Sequence, residues 1–415
     1  MNNHSTHTPA RAPVQVWTGG LVFLLPLLML VTVFGVGLIS FLFLISALVL
    51  FKPSRDALRR DWPRIRWVVL AFLLQTLFVL ACMLMRGSSM SMLEKPARML
   101  LATSALALVL AVRAPRRAFW WGAVGGALAA LPFVAWQRIG LHIERPGGFI
   151  NAIAYGDLTL LLALVSLAGA IDMRASPRRA WLAGAGALAG LAASVLTGTR
   201  GCWPALLLVV LVLGWRVGLP AARRARVLLC AGVLLLASVW LVPGLGMQQR
   251  FVQGVRDVET WYQGGSVWTN VGTRLELWRG ALMLIRERPL LGRDMSAAYA
   301  RLAEYGREGR LDPAVLTLPH LHNDVLQVLV SGGVLGLVLW AATLGAPLAF
   351  FLRQLGRDVQ APEFAVALAG ALVVLCYIGF GLTEVIFWSS KACLFYALMV
   401  FTLMGLCLNA KEKIG

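Results

Sequence analysis

The feature that most constrains this chain is the repeated return of apolar runs about as long as a membrane is thick. A helix needs about 20 mostly apolar residues to cross a bilayer. Runs near 17–33, 36–51, 67–85, 97–112, 118–136, 152–171, 180–196, 203–215, 227–245, 323–352, 363–383 and 392–409 meet or approach that length and predict twelve spans. The first two are fused, dividing near 34–36, and the run at 203–215 is short. Lipid offers no partner to a backbone N–H, so each span must be helical and the fold class is an all-α polytopic membrane protein. Charged residues make up only 14% of the chain. An ordinary soluble domain carries about 25%, so a soluble enzyme is excluded.

Orientation follows from where lysine and arginine fall between the spans. The connections 52–66, 113–117, 172–179, 216–226 and 353–362, with both termini, carry 21 of the 38 basic residues, and the opposite short connections carry seven. The remaining ten lie in the segment 246–318, too long for the rule to count. Both termini are therefore expected in the cytoplasm and 246–318 outside, which in a bacterial inner membrane is the periplasm. The chain reads as one membrane domain, 1–415, with this loop inserted between the ninth and tenth spans. The stretch TRLELWRGALMLIRERPLLG has apolar residues at 275, 278, 281, 282 and 285, a helical spacing ended by Pro289 and Gly292. It predicts an amphipathic helix on the membrane surface or capping the bundle. The polar N-terminal tail and long first run predict a retained span. Six cysteines without CxxC spacing read as buried small hydrophobes. The net charge of +19 is scattered between spans rather than gathered, which argues against nucleic acid as a partner.

Positive-inside retention accounts for the cytoplasmic arginines but not for those on the other side. Four segments there combine Arg, His or Gly near span ends: ERPGGFINAIAYGD (144–157), TGTRG (197–201), VGTRLELW (271–278) and LPHLHND (318–324). Ionisable groups so placed are costly in lipid and mark a candidate site. His322, after Pro319, falls at or just before the start of the tenth span, where the helix dipole favours a neutral, base-competent imidazole. Such a histidine can equally cap the span, and the arginine-bearing segments on the same side favour the chemical role. Arg200 and Arg274, each in a GTR triplet, are candidate forks for a phosphate-rich ligand; the competing role is snorkelling to headgroups. Arg145, His320, Asp157 and Asn323 are weaker candidates. Asp157, Asp324 and Glu384 are expected to be hydrogen-bonded or arginine-paired structural groups. No DxD, HExxH or acid cluster predicts a metal, and GxSxG and P-loop patterns are absent.

TGTRG, TRLELW…RPLLG and HNDVLQ…GGVLGL, in this order with a long loop between the ninth and tenth spans, resemble the O-antigen ligase family. That family shares a superfamily with O-antigen polymerases. The likeness is best over about 145–340. It implies a GT-C-like inner-membrane glycosyltransferase, needing no metal or other cofactor, with the site facing the periplasm. Its substrates would be an undecaprenyl-pyrophosphate-linked glycan and the lipid A–core acceptor. It further implies His322 as general base and Arg200 and Arg274 on the pyrophosphate, with inversion at the anomeric carbon. His320 is not required by the family motif. An O-antigen polymerase is the nearer alternative, and a lipid or anion transporter the more distant one.

Overall fold

The computed structural model describes residues 11–199, 201–217, 247–356 and 358–412. Among them every regular element is helical. The chain runs through α1 (Arg11–Val31), α2 (Gly35–Val49), α3 (Phe51–Arg86), α4 (Ser91–Leu101), α5 (Thr103–Val112), α6 (Arg116–Ala135), α7 (Ala152–Asp172), α8 (Pro177–Leu196) and α9 (Trp203–Val217). Three helices of mixed polarity follow: α10 (Met247–Tyr262), α11 (Gly272–Glu287) and α12 (Met295–Arg307). Last come α13 (Asp324–Gln354), α14 (Phe364–Gly381) and α15 (Ser390–Lys411). Nine helical stretches among the described residues are long and apolar enough to cross a membrane, α4 and α5 together forming one. The apolar helices α2 and α9 are shorter. The ninth expected span, 227–245, lies outside the described residues.

The core follows from α15, which is apolar on every side and therefore needs neighbours all round. It is buried along nearly its whole length, packed by α5, α14 and α4. Its buried Asn409 donates Nδ2–H to the Val109 carbonyl at 2.8 Å. Beside this core α1, α6, α7 and α8 pack on one another.

Two expectations need correction. Residues 52–66, predicted as a loop, are the opening turns of α3. The chain breaks instead at Leu50, and the charges of the stretch are accommodated by pairing: Arg60 and Arg64 close on the buried Asp61 at 2.8 and 3.1 Å. The amphipathic helix at 272–287 forms, but its buried face runs through Leu277, Gly280, Ala281 and Leu284 rather than 275, 278, 282 and 285. Gly280 lets Leu302 and Leu311 approach closely, so the small residues face the neighbours, which a hydrophobic period does not register. With Leu302, Tyr305, Leu311, Val315 and Leu321 they build a small second core, and α11 rests on α13.

That small core is tied to the bundle backbone to backbone. Gly333 interrupts α13 at φ +63, and Gly292 lies at φ +68. A Cβ on Gly333 would stand 2.3 Å from the Leu290 carbonyl carbon, so only glycine fits. The interruption frees the Val334 and Leu335 amides, which donate to the Pro289 and Leu290 carbonyls at 2.8 and 3.2 Å. Arg293 N–H donates back to the Val330 carbonyl at 2.8 Å. The RPLLG and GGVLGL stretches of the sequence are thus the two halves of one joint.

Candidate active site

The joint fixes the loop 318–323 that leads into α13. Asn323 caps α13, its Oδ1 accepting from the Leu326 N–H at 3.0 Å, while its Nδ2–H donates to the Leu382 carbonyl at 3.0 Å. Leu321 is buried in the small core; its carbonyl accepts from Trp278 Nε1–H at 2.7 Å and its N–H donates to Gln327 Oε1 at 3.1 Å. His322 takes φ +49, a left-handed conformation that costs a residue with a side chain about 1–2 kcal/mol. The tethers on either side hold that turn in place.

The turn brings His320 and His322 onto one carboxylate. Glu384, in the loop after α14, stands with Oε2 2.9 Å from His322 Nδ1 and Oε1 3.1 Å from His320 Nε2. The two imidazole centroids are 4.3 Å apart. All three side chains are buried. Burial pushes His320 down to about 4, overriding the pull of Glu384, so it is neutral at neutral pH. Burial pushes Glu384 up, but the hydrogen bond from His322 and the two imidazoles outweigh it and hold the carboxyl below its usual range. An ionised carboxylate only accepts, so each histidine must turn an N–H toward it. That selects the Nδ1–H tautomer at His322 and the Nε2–H tautomer at His320. His322 Nε2 and His320 Nδ1 are left buried without a hydrogen-bond partner among the described residues. A buried acceptor without a donor costs about 1–3 kcal/mol, which a ligand hydroxyl would relieve.

Next to this cluster lies a cavity of about 580 Å³ lined by Arg145, Arg274, Gly198, Gly201, Gln253, Asp257, Asn270 and Thr383. Thr383 joins the two features: it is the chain neighbour of Glu384, and its hydroxyl donates to the Gly201 carbonyl at 3.1 Å. Arg274 sits in the first turn of α11 with no ion-pair partner within salt-bridge distance among the described residues. Burial lowers its pKa, the Glu384 charge raises it and the Arg145 charge lowers it, so the two guanidinium groups reinforce each other as a site for an anion. Arg200 lies outside the described residues, but Gly198 and Gly201 on either side of it line the cavity.

Of the residues singled out in the sequence, the fold brings together His322, His320, Asn323, Arg274 and Arg145. Asp157 departs from expectation. It is fully buried in α7, and among the described residues neither carboxylate oxygen has a hydrogen-bond partner. Its Oδ1 would lie 3.7 Å from a Cβ built on Gly201, so it stands just behind the cavity wall. Asp324, the first residue of α13, is buried, and among the described residues its Oδ2 has no hydrogen-bond partner. Glu384 is the residue the sequence undervalued, because 62 positions separate it from His322. The expectation of no metal-type cluster is also revised: ligand atoms of His320, His322 and Glu384 lie within 4.8 Å of one another. Those atoms face each other as donor and acceptor, and they could hold a cation only after losing the imidazole protons.

Residues 185–341 match the family model of the O-antigen ligases. That stretch of the chain is similar to this family. A Haemophilus influenzae protein described as "Uncharacterized protein" is 20% identical over 291 residues, covering 69% of this chain and 73% of the relative. The matched stretch holds His320, His322, Arg274, Gly198 and Gly201. Arg145, Asp157 and Glu384 complete the site from outside it.

Proposed function

We propose that this protein is an O-antigen ligase of a bacterial inner membrane, moving a glycan from undecaprenyl pyrophosphate to a sugar hydroxyl of the lipid A–core. The observation that carries the reading is His322, oriented by Glu384, beside a cavity lined by Arg274; among the described residues His322 Nε2 has no hydrogen-bond partner and Arg274 has no ion-pair partner. A lipid pyrophosphate already departs well, so the chemistry needs a base and positive charge rather than a strong acid. The acceptor oxygen forms a bond to the anomeric carbon while its proton passes to His322 Nε2. The bond from that carbon to the pyrophosphate oxygen breaks, and the electron pair leaves with undecaprenyl pyrophosphate. Arg274, Arg145 and Arg200 take up the developing charge, and attack opposite the leaving group inverts the anomeric centre. Glu384 stabilises the imidazolium formed at His322. No metal is required. Both termini lie in the cytoplasm in this reading, and the loop 246–318 places the site at the periplasmic face.

An O-antigen polymerase would use the same donor with a second lipid-linked glycan as acceptor, and the ligase-family domain is common to that superfamily. Deleting the gene and examining the lipopolysaccharide separates them. A ligase null leaves full-length polymer on undecaprenyl pyrophosphate and a bare core. A polymerase null leaves a core carrying a single repeat, and unaltered lipopolysaccharide would overturn both.

A further inference from the structure

Helix α10 is folded inside out for a water-soluble element. Its one buried side chain among those described is the acid Asp257, which faces the cavity with Gln253 and Gly254 beside it. Three of its apolar residues point the other way: Val255 is 43% exposed, Val258 45% and Tyr262 85%. At 3.6 residues per turn these three positions fall within about 60° of one another, a continuous apolar stripe. The helix is held to the protein by its polar side, where Trp261 Nε1–H donates to Glu276 Oε2 at 3.1 Å. Trp268, just beyond it, is 65% exposed.

Where α10 begins says what covers the stripe. Residues 227–245 contain no charged side chain and have the length of a membrane span, and only Gly246 separates them from Met247. A chain advances at most about 3.5 Å per residue. With 227–245 as the ninth span that the sequence predicts, the first turn of α10 would lie within several ångströms of the point where that span leaves the hydrocarbon. A helix starting there with an apolar stripe, a polar flank and aromatic residues at its far end has the make-up of an interfacial helix.

We propose that α10 lies in the headgroup region of the phospholipid bilayer, with Val255, Val258 and Tyr262 toward the acyl chains and the Asp257 flank forming a wall of the cavity. The cavity then opens at headgroup level. Resting on the transferase reading, this lets a pyrophosphate reach Arg274 and Arg145 while its isoprenoid chain stays in the membrane. The seating itself does not depend on that reading.

The test uses the full-length protein in nanodiscs of phosphatidylethanolamine and phosphatidylglycerol. Cys230 is replaced by serine, and the five cysteines already buried serve as the unlabelled background. Spin labels are placed singly through Val255→Cys, Val258→Cys and Arg256→Cys, the last on the polar side. Collisions with oxygen, which concentrates in lipid, are compared with collisions with a water-soluble nickel chelate. Oxygen should dominate at 255 and 258 by several-fold, and nickel at 256. Nickel access at 255 and 258 equal to that at 256 would overturn the proposal, since the stripe would then face water. Low access to both reagents at 255 and 258 would overturn it too, because residues 218–246 or a second copy would then cover the stripe.

Discussion

Replacing Glu384 with glutamine keeps the side-chain shape and removes the charge, which isolates what the carboxylate does for the histidines. The carboxylate accepts from both imidazoles at 2.9 and 3.1 Å. An amide has one acceptor oxygen and one NH₂ donor, so only one histidine can still donate to it. The larger loss comes when His322 takes up a proton, because the imidazolium then has no counter-charge. With charge centres about 4 Å apart and an effective dielectric of about 20, that attraction is about 4 kcal/mol. Each 1.36 kcal/mol is tenfold in rate, so the expected loss is on the order of 100- to 1000-fold in kcat. Glu384→Asp, which restores the charge on a shorter arm, should recover part of it. The assay is transfer by purified protein in liposomes, with undecaprenyl-pyrophosphate-linked donor, lipid A–core acceptor and matched protein levels. A glutamine variant retaining more than a third of the wild-type rate would refute the assignment of Glu384 as the group that orients and stabilises the base.

Other expectations follow from the same geometry. His322→Ala should abolish transfer while leaving insertion and donor binding intact, and His320→Ala should be the milder variant; the reverse order would move the base to His320. Arg274→Lys and Arg200→Lys keep the charge but lose the planar fork, so each should slow transfer roughly 30- to 1000-fold, with Ala worse; wild-type rates for both would make them headgroup anchors. Transfer should survive EDTA, since the oxygens of Glu384 already face imidazole nitrogens; loss restored by Mg²⁺ or Mn²⁺ would reject the metal-free mechanism. His320 is held at about 4 against 6.5 in the unfolded chain, so below pH 6.5 the unfolded state takes up a proton that the folded state refuses. Stability should therefore fall as pH drops from 6.5 toward 4, by about 2 kcal/mol at pH 5. Thermal unfolding in detergent should show a shallower fall for His320→Asn, and equal slopes would contradict this.

The contrast between His322 and Glu384 shows how far the site could be read in advance. His320, His322 and Asn323 sit together in the chain, next to a helix start that Pro319 signals, so local rules were enough to single them out. Arg274 was legible for a similar reason, as a charge near span ends where lipid would penalise it. Glu384 was visible only as a rare acid, because its role depends on the end of α14 lying against the start of α13. The buried face of α11 was only partly read: Ala281 was in the apolar spacing, but Gly280 carries no hydrophobic signal, although the close approach of Leu302 and Leu311 depends on it.

Hydropathy alone determined that this chain is helical, that it is built from membrane-crossing segments and roughly where those segments begin. Those are properties of single stretches, enforced by the solvent whatever the neighbours are. Only the tertiary structure decided that α15 is the buried axis, that Gly292 and Gly333 interlock and that two histidines share one carboxylate. Each of these depends on which backbone lies beside which, and contacts between residues tens of positions apart leave no periodic trace in a sequence.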